Sequence, residues 1–168
     1  MAVPYNVLFL CTGNSSRSIM AEAILNHRGK PNFNAYSAGS HPVGHVHANA
    51  LRQLQIARLP TCPLRSKGWN EFAKPDAPRM DFVFTVCDSA ARELCPVWPG
   101  QPMTAHWGMP DPGRAEPAHL ERAFRETFVL LDRRISLFCS LPLAALDKLA
   151  IKREIERIGR EEVSSQKP

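Results

Sequence analysis

The 168-residue chain is long enough for one domain and short for two. Apolar residues make up 44%, charged residues 22% and aromatic residues 8%, a profile that excludes a disordered or collagen-like chain and a miniprotein held by disulfides. The net charge of +5 suits an anionic ligand, but the basic residues are scattered and no zinc-finger spacing occurs, so neither nucleic acid nor a membrane is expected as a partner. The segment from Met1 to Asn14 has no basic stretch and no long apolar run, and no run of about 18 apolar residues occurs anywhere. A cytoplasmic protein is expected, in which the five cysteines (Cys11, Cys62, Cys87, Cys95 and Cys139) stay thiols unless their chemistry is used.

Residues 6–10 form a short apolar run read as a buried strand. A cluster of small polar residues, Cys11 to Ser18, follows directly. Ile19, Met20, Ala23, Ile24 and His27 then recur at helical spacing up to Gly29. Residues 33–38 read as a second strand, 46–56 as a short helix and 59–63 as a Pro-rich loop. Ser66 is a candidate cap for a short helix through Phe72. Residues 81–86 read as a third strand ending at Cys87, 88–94 as a helical turn or loop, and 103–107 as a fourth strand. After a Pro/Gly loop over 110–117, Leu120, Phe124, Phe128, Leu131, Ile135 and Phe138 mark the clearest helix, which Pro142 stops. A last helix spans about 144–159, with Gly159 as its C-cap. Alternating strands and helices predict an α/β fold with a four-stranded parallel sheet between two helical layers. Residues 1–142 would form the domain, and 143–168 a helical extension packed on it or serving a dimer contact. A monomer or a weak homodimer is expected.

In such sheets ligands sit at the carboxyl ends of the strands, where Cys11 and Cys87 both fall. The loop Cys11 to Ser18 runs from a buried strand straight into a helix. Its backbone N–H groups can surround one point, and the helix N-terminus adds partial positive charge. Arg17 adds a bidentate donor for a tetrahedral oxyanion, and Ser15 or Ser18 could hydrogen-bond the sulfur. The same field favours a Cys11 thiolate at neutral pH, an activated nucleophile beneath the bound anion. Oxyanion contacts are therefore expected from Thr12, Gly13, Asn14, Ser15, Ser16, Arg17 and Ser18.

This loop, following Val7-Leu8-Phe9-Leu10, resembles the active-site loop of the low-molecular-weight protein tyrosine phosphatases and of the arsenate reductases that share their fold, and the order of elements agrees over at least residues 5–140. The resemblance implies a low-molecular-weight phosphatase-like architecture, with Cys11 as nucleophile and Arg17 on the equatorial oxygens. It also makes Asp111 of the one Asp-Pro pair the general acid, with Pro112 stiffening its loop. The segment Thr85 to Pro96, with Cys87 and Cys95, resembles the redox segment of the thioredoxin-coupled arsenate reductases, as does His106-Trp107-Gly108 before Asp111. The phosphatases usually carry two Tyr after the Asp-Pro, where this chain has Gly113-Arg114, and a second Cys where it has Ser16.

The resemblance implies arsenate reduction to arsenite. Cys11 attacks arsenic, Cys87 attacks Cys11, and Cys95 then takes over the disulfide from Cys87. No bound cofactor is implied. An external thiol reductant is needed: thioredoxin, or a glutathione/glutaredoxin or mycothiol system with Cys95 idle. Eight residues of helix would separate Cys87 and Cys95 by about 12 Å, whereas a disulfide needs Cα atoms within about 7 Å. Residues 88–94 would therefore have to unwind. The alternative is hydrolysis of phosphotyrosine or small phosphate monoesters, and a third reading is an oxyanion-binding regulator without turnover. Cys139 reads as core and Cys62 as incidental. His41, His45 and His47 lack flanking ligands at zinc-like spacing, so no metal site is expected. Asn14, Glu22 and Ser37 read as a hydrogen-bond network behind the loop, a place that in the family is sometimes a monovalent cation site.

Overall fold

A computed structural model of the chain describes residues 3–92 and 96–162. Four strands, β1 (Tyr5–Cys11), β2 (Phe33–Gly39), β3 (Phe82–Thr85) and β4 (Met103–His106), form one sheet in the order β2-β1-β3-β4. Every pairing is parallel, with Val7 beside Ala35 and Phe82, and Phe84 beside Ala105. The α/β class with a four-stranded parallel sheet agrees with the sequence reading. β1 is central and buried on both faces, which is why its residues read as a continuous apolar run rather than an alternating one.

The helices are α1 (Arg17–Arg28), α2 (Ala48–Ile56), α3 (Asp88–Arg92), α4 (Leu120–Cys139) and α5 (Lys148–Ile158). On one face of the sheet Val7, Phe9, Phe82 and Phe84 meet α1 and α4. Phe84 stacks on Trp107 at 4.0 Å between ring centres, and Phe138 of α4 meets Phe84 edge-on at 5.2 Å. These rings are completely buried, and each contributes roughly 1.5–3 kcal/mol through burial. On the other face Leu8, Leu10 and Val83 pack against Phe72, Met80 and Trp98. Phe72 belongs to a 3₁₀ turn at Trp69–Phe72, Met80 to the chain before β3 and Trp98 to the chain before β4. The second layer is thus met mostly by irregular chain, and the helix expected after Ser66 shrinks to that turn. The ring of Trp69 packs against Trp98 instead.

Two helix boundaries differ from the periodicity because a cap overrides it. α2 begins at Ala48, where the His47 side chain accepts a hydrogen bond from the Asn49 N–H. α5 begins at Lys148, where Asp147 accepts from the Ala150 N–H at 2.8 Å. β3 stops at Thr85, although the Val86 N–H still reaches the Leu10 carbonyl at 2.8 Å. α5 lies against β4 and α4. The Trp107 indole donates to the Ile155 carbonyl at 2.9 Å, and Ile151, Ile155 and Ile158 join the main core. No helix among the described residues is long and apolar enough to cross a membrane.

Candidate active site

The sheet reverses direction of winding at β1, with β2 on one side and β3 on the other, so the carboxyl ends of β1 and β3 face one crevice. Cys11 ends β1, and the loop after it turns into α1 at Arg17. The carbonyls of this loop are taken from outside. Thr12 O accepts from the His41 N–H at 2.9 Å, Gly13 O from Val43 at 3.1 Å, Ser15 O from His47 at 2.9 Å, and Ser16 O from Met20 at 2.9 Å. A trans peptide sets its C=O opposite the next N–H. Carbonyls that point outward therefore turn the N–H groups of Gly13, Asn14, Ser16 and Arg17 toward the cleft. Gly39 makes this packing possible. A Cβ there would lie 2.4 Å from Thr12 O and 2.8 Å from Cys11 O.

Behind the loop sits a buried polar network. Asn14 holds a left-handed φ of 44°. Its side-chain amide donates to Ser18 Oγ (2.8 Å) and Ser37 Oγ (3.0 Å), and its Oδ1 accepts from the Lys67 N–H at 2.9 Å. The Lys67 ammonium lies 3.4 Å from Glu22 Oε1, 3.3 Å from Ser37 Oγ and 3.0 Å from the Arg65 carbonyl. Burial pushes Lys67 down from the usual lysine range, and the Glu22 carboxylate opposes that. Asn14, Glu22 and Ser37 are the network read from the sequence. Lys67 was missing from it, because Arg65-Ser66-Lys67-Gly68 looks like a solvated turn. The side chains of Asn14 and Ser18, read as oxyanion and sulfur contacts, bond to this network instead and line no part of the cleft. The network uses up their polar atoms on the far side of the loop.

The cleft itself holds about 620 Å³ and is lined by Cys11 through Gly13, Ser15 through Arg17, Cys87 and Asp111, with Val43, Met109 and Arg114 at its walls. Cys11 and Cys87 are both buried free thiols within hydrogen-bonding reach of each other. The Thr12 N–H lies 3.3 Å from Cys87 Sγ, the Ala90 N–H 3.4 Å and Thr12 Oγ1 3.6 Å. These donors, with the Cys11 thiol first among them, pull Cys87 down to about 5. The same contact and burial push Cys11 up, against the Arg17 guanidinium and the Gly13 N–H. The contact thus lowers Cys87 and raises Cys11, and the Thr12 N–H, the Ala90 N–H and Thr12 Oγ1 add to the pull on Cys87 Sγ.

Arg17 is nearly buried. Its Nη1 donates to the Met109 carbonyl at 3.0 Å, its Nη2 lies 3.7 Å from Asp111 Oδ2, and its Nε is buried with no hydrogen-bond partner among the described residues. A buried N–H left unpaired costs about 1–3 kcal/mol, which an oxyanion oxygen would recover. Asp111 caps the turn after it by accepting from the Gly113 N–H at 2.9 Å, and Arg114 stands 3.9 Å from its other oxygen. The structure thus brings Cys11, Arg17, Cys87 and Asp111 to one cleft. Cys95 lies outside the described residues. Cys62 is exposed and Cys139 half-buried, both away from the cleft. His47 serves α2 as cap and rests on the Phe124 ring at 4.6 Å.

An arsenate reductase of Bacillus licheniformis is 35% identical over 117 residues, 69% of this chain and 80% of that protein. The structure of the arsenate reductase of Archaeoglobus fulgidus is similar to 77% of this chain and 98% of its own, at 26% identity and TM-score 0.58. A low molecular weight protein tyrosine phosphatase from T. tengcongensis is similar over 79% of this chain and 98% of its own, at 25% identity and TM-score 0.61. The family model described as low molecular weight phosphotyrosine protein phosphatase matches residues 6–152, and with the anion loop, the paired thiols and the Asp-Pro turn all at the strand ends, the chain belongs to that family.

Proposed function

We propose that the protein reduces arsenate to arsenite, with Cys11 as nucleophile, Cys87 as the second thiol, Arg17 as oxyanion ligand and Asp111 as general acid. The observation that carries this reading is Cys87 Sγ, set against the anion loop by the Thr12 and Ala90 N–H groups. A hydrolase of this family needs a nucleophile, an arginine and an acid; a second low-pKa sulfur beside the nucleophile adds nothing to hydrolysis and everything to reduction. The arsenate reductase relatives support the same reading.

Arsenate enters the loop as a tetrahedral oxyanion, held by inward N–H groups and Arg17. Cys11 gives up its proton, for which the arsenate dianion is the base within reach, and its sulfur bonds to arsenic. The departing oxygen leaves as water with a proton from Asp111. The Cys87 thiolate then attacks the Cys11 sulfur. The S–As bond breaks with its electron pair on arsenic, As(V) becomes As(III), and arsenite leaves a Cys11–Cys87 disulfide. Two thiols have supplied the two electrons. An external dithiol of the thioredoxin type restores them, with Cys95 as the intermediate carrier or with a glutathione- or mycothiol-type thiol acting directly.

The test is arsenite formation by wild type and Cys87→Ser under one reductant. The variant should bind phosphate normally and form arsenite only at background. Arsenite formation by the variant at the wild-type rate would overturn the role of Cys87, whereas failure of the wild type itself to form arsenite would leave phosphate-monoester hydrolysis as the better reading.

A further inference from the structure

Arg134 is 3% exposed and stands in the buried stripe of α4 between Leu131 and Phe138, where packing alone would select an apolar residue. Its hydrogen bonds run to two main-chain carbonyls far apart in sequence. Nη1 donates to Gly108 O at 3.1 Å, and Nε donates to Glu161 O at 3.0 Å. Gly108 precedes Met109, whose carbonyl is held at 3.0 Å by Arg17. Two consecutive carbonyls are thus gripped by two guanidinium groups, one from the anion loop and one from α4. Asp111 follows two residues later.

The C-terminal extension closes the same clamp. Glu161 is fixed a second time through its side chain by Arg133 at 3.1 Å. The Trp107 indole donates to Ile155 O. Gly159 lies so close to the chain leaving β4 that a Cβ there would come within 2.4 Å of His106 O. Of the chain from His106 to Met109, Trp107 is therefore bonded to α5, Gly108 to α4 and Met109 to the anion loop, while Gly159 packs closely against His106.

We infer that Arg134 is a positioning residue for Asp111, and that the extension past Leu143 completes its hold on the chain leading to the acid. This rests on the reading of Asp111 as the acid. Its chemistry is main-chain recognition. A guanidinium supplies two directed donors in a rigid plane and fixes both carbonyls relative to α4, which no apolar side chain of the same volume does. Small misplacements of a catalytic group cost large factors in rate, up to roughly a hundredfold for 1 Å.

The experiment measures single-turnover arsenite formation by Arg134→Met and Arg134→Lys, each alone and combined with Asp111→Asn, with phosphate binding by calorimetry as the readout of the loop. R134M should lower the rate constant about tenfold, leave the phosphate Kd within about twofold, and have less than about a twofold effect once Asp111 is Asn. R134K, which keeps the charge but has a single donor nitrogen in place of the planar fork, should fall between and carries the test should R134M not fold. An equal loss in both backgrounds, or a loss that follows weaker phosphate binding, overturns the inference. Should D111N itself leave the rate unchanged, the reading of Asp111 as acid fails, and the inference fails with it.

Discussion

Replacing Gly39 with alanine tests the argument that the anion loop is shaped from behind. The new Cβ would meet Thr12 O at 2.4 Å, Cys11 O at 2.8 Å and Asn14 N at 3.0 Å. All three are backbone atoms, and Thr12 O is already bonded to the His41 N–H, so no side chain can swing away. Bringing the closest contact out to 3.0 Å moves the Thr12 carbonyl by about 0.6 Å. Overpacking of this kind costs about 1–3 kcal/mol, which for a chain of this size lowers Tm by roughly 3–10 °C. The Gly13 and Asn14 N–H groups turn with that carbonyl, so phosphate affinity should fall about tenfold, equivalent to ~1.4 kcal/mol. Calorimetric titration with phosphate and a thermal melt measure both. A G39A protein that binds phosphate within about twofold of wild type and melts within about 1 °C of it would refute the reasoning.

Lys67→Met strands the Glu22 carboxylate beside Ser37 and should destabilise by about 2–3 kcal/mol; adding Glu22→Gln should recover more than half of that in a denaturant titration. At Asn14, alanine loses both the hydrogen bonds and ease in the left-handed backbone, whereas glycine loses the bonds alone, so Asn14→Gly should be more stable than Asn14→Ala by about 1 kcal/mol in the same assay. The donors on Cys87 Sγ hold it below the usual thiol range. Its alkylation by iodoacetamide, followed by peptide mass spectrometry, should therefore level off at a lower pH than that of the exposed Cys62; a rate still climbing between about pH 8 and 9, as for a free thiol, would contradict the donor set assigned to it.

Much of the molecule could be read from its residues. The run Val7 to Leu10, the small polar loop after it and the spacing from Leu120 to Phe138 each state one structure without help from the rest of the chain. Cys11, Arg17 and Cys87 were legible because thiol and guanidinium carry chemistry where a buried strand ends in a small polar loop; Asp111 was legible only through the resemblance of its Asp-Pro pair to the family. Lys67 and Arg134 were not. Both are long cations in polar company, Lys67 beside Arg65 and Arg134 beside Arg133, and such residues usually face water. Their burial is decided by distant partners, Glu22 for one and the carbonyls of Gly108 and Glu161 for the other. The segment from His41 to His47 was opaque for a different reason: its contribution is three main-chain N–H groups, and every residue but proline has one. The donors of Thr12 and Ala90 to Cys87 were not legible either, because they belong to backbone geometry that spacing does not express.

β1 and β3 are adjacent strands with Leu10 beside Thr85, and the two sulfurs sit just beyond that last pair. Neighbouring strands lie about 4.8 Å apart, and disulfides span Cα separations of about 4.4–6.8 Å. On the proposed mechanism the sheet's own hydrogen-bond repeat is therefore the ruler for the Cys11–Cys87 disulfide, and that bond would close and reopen without any strand sliding.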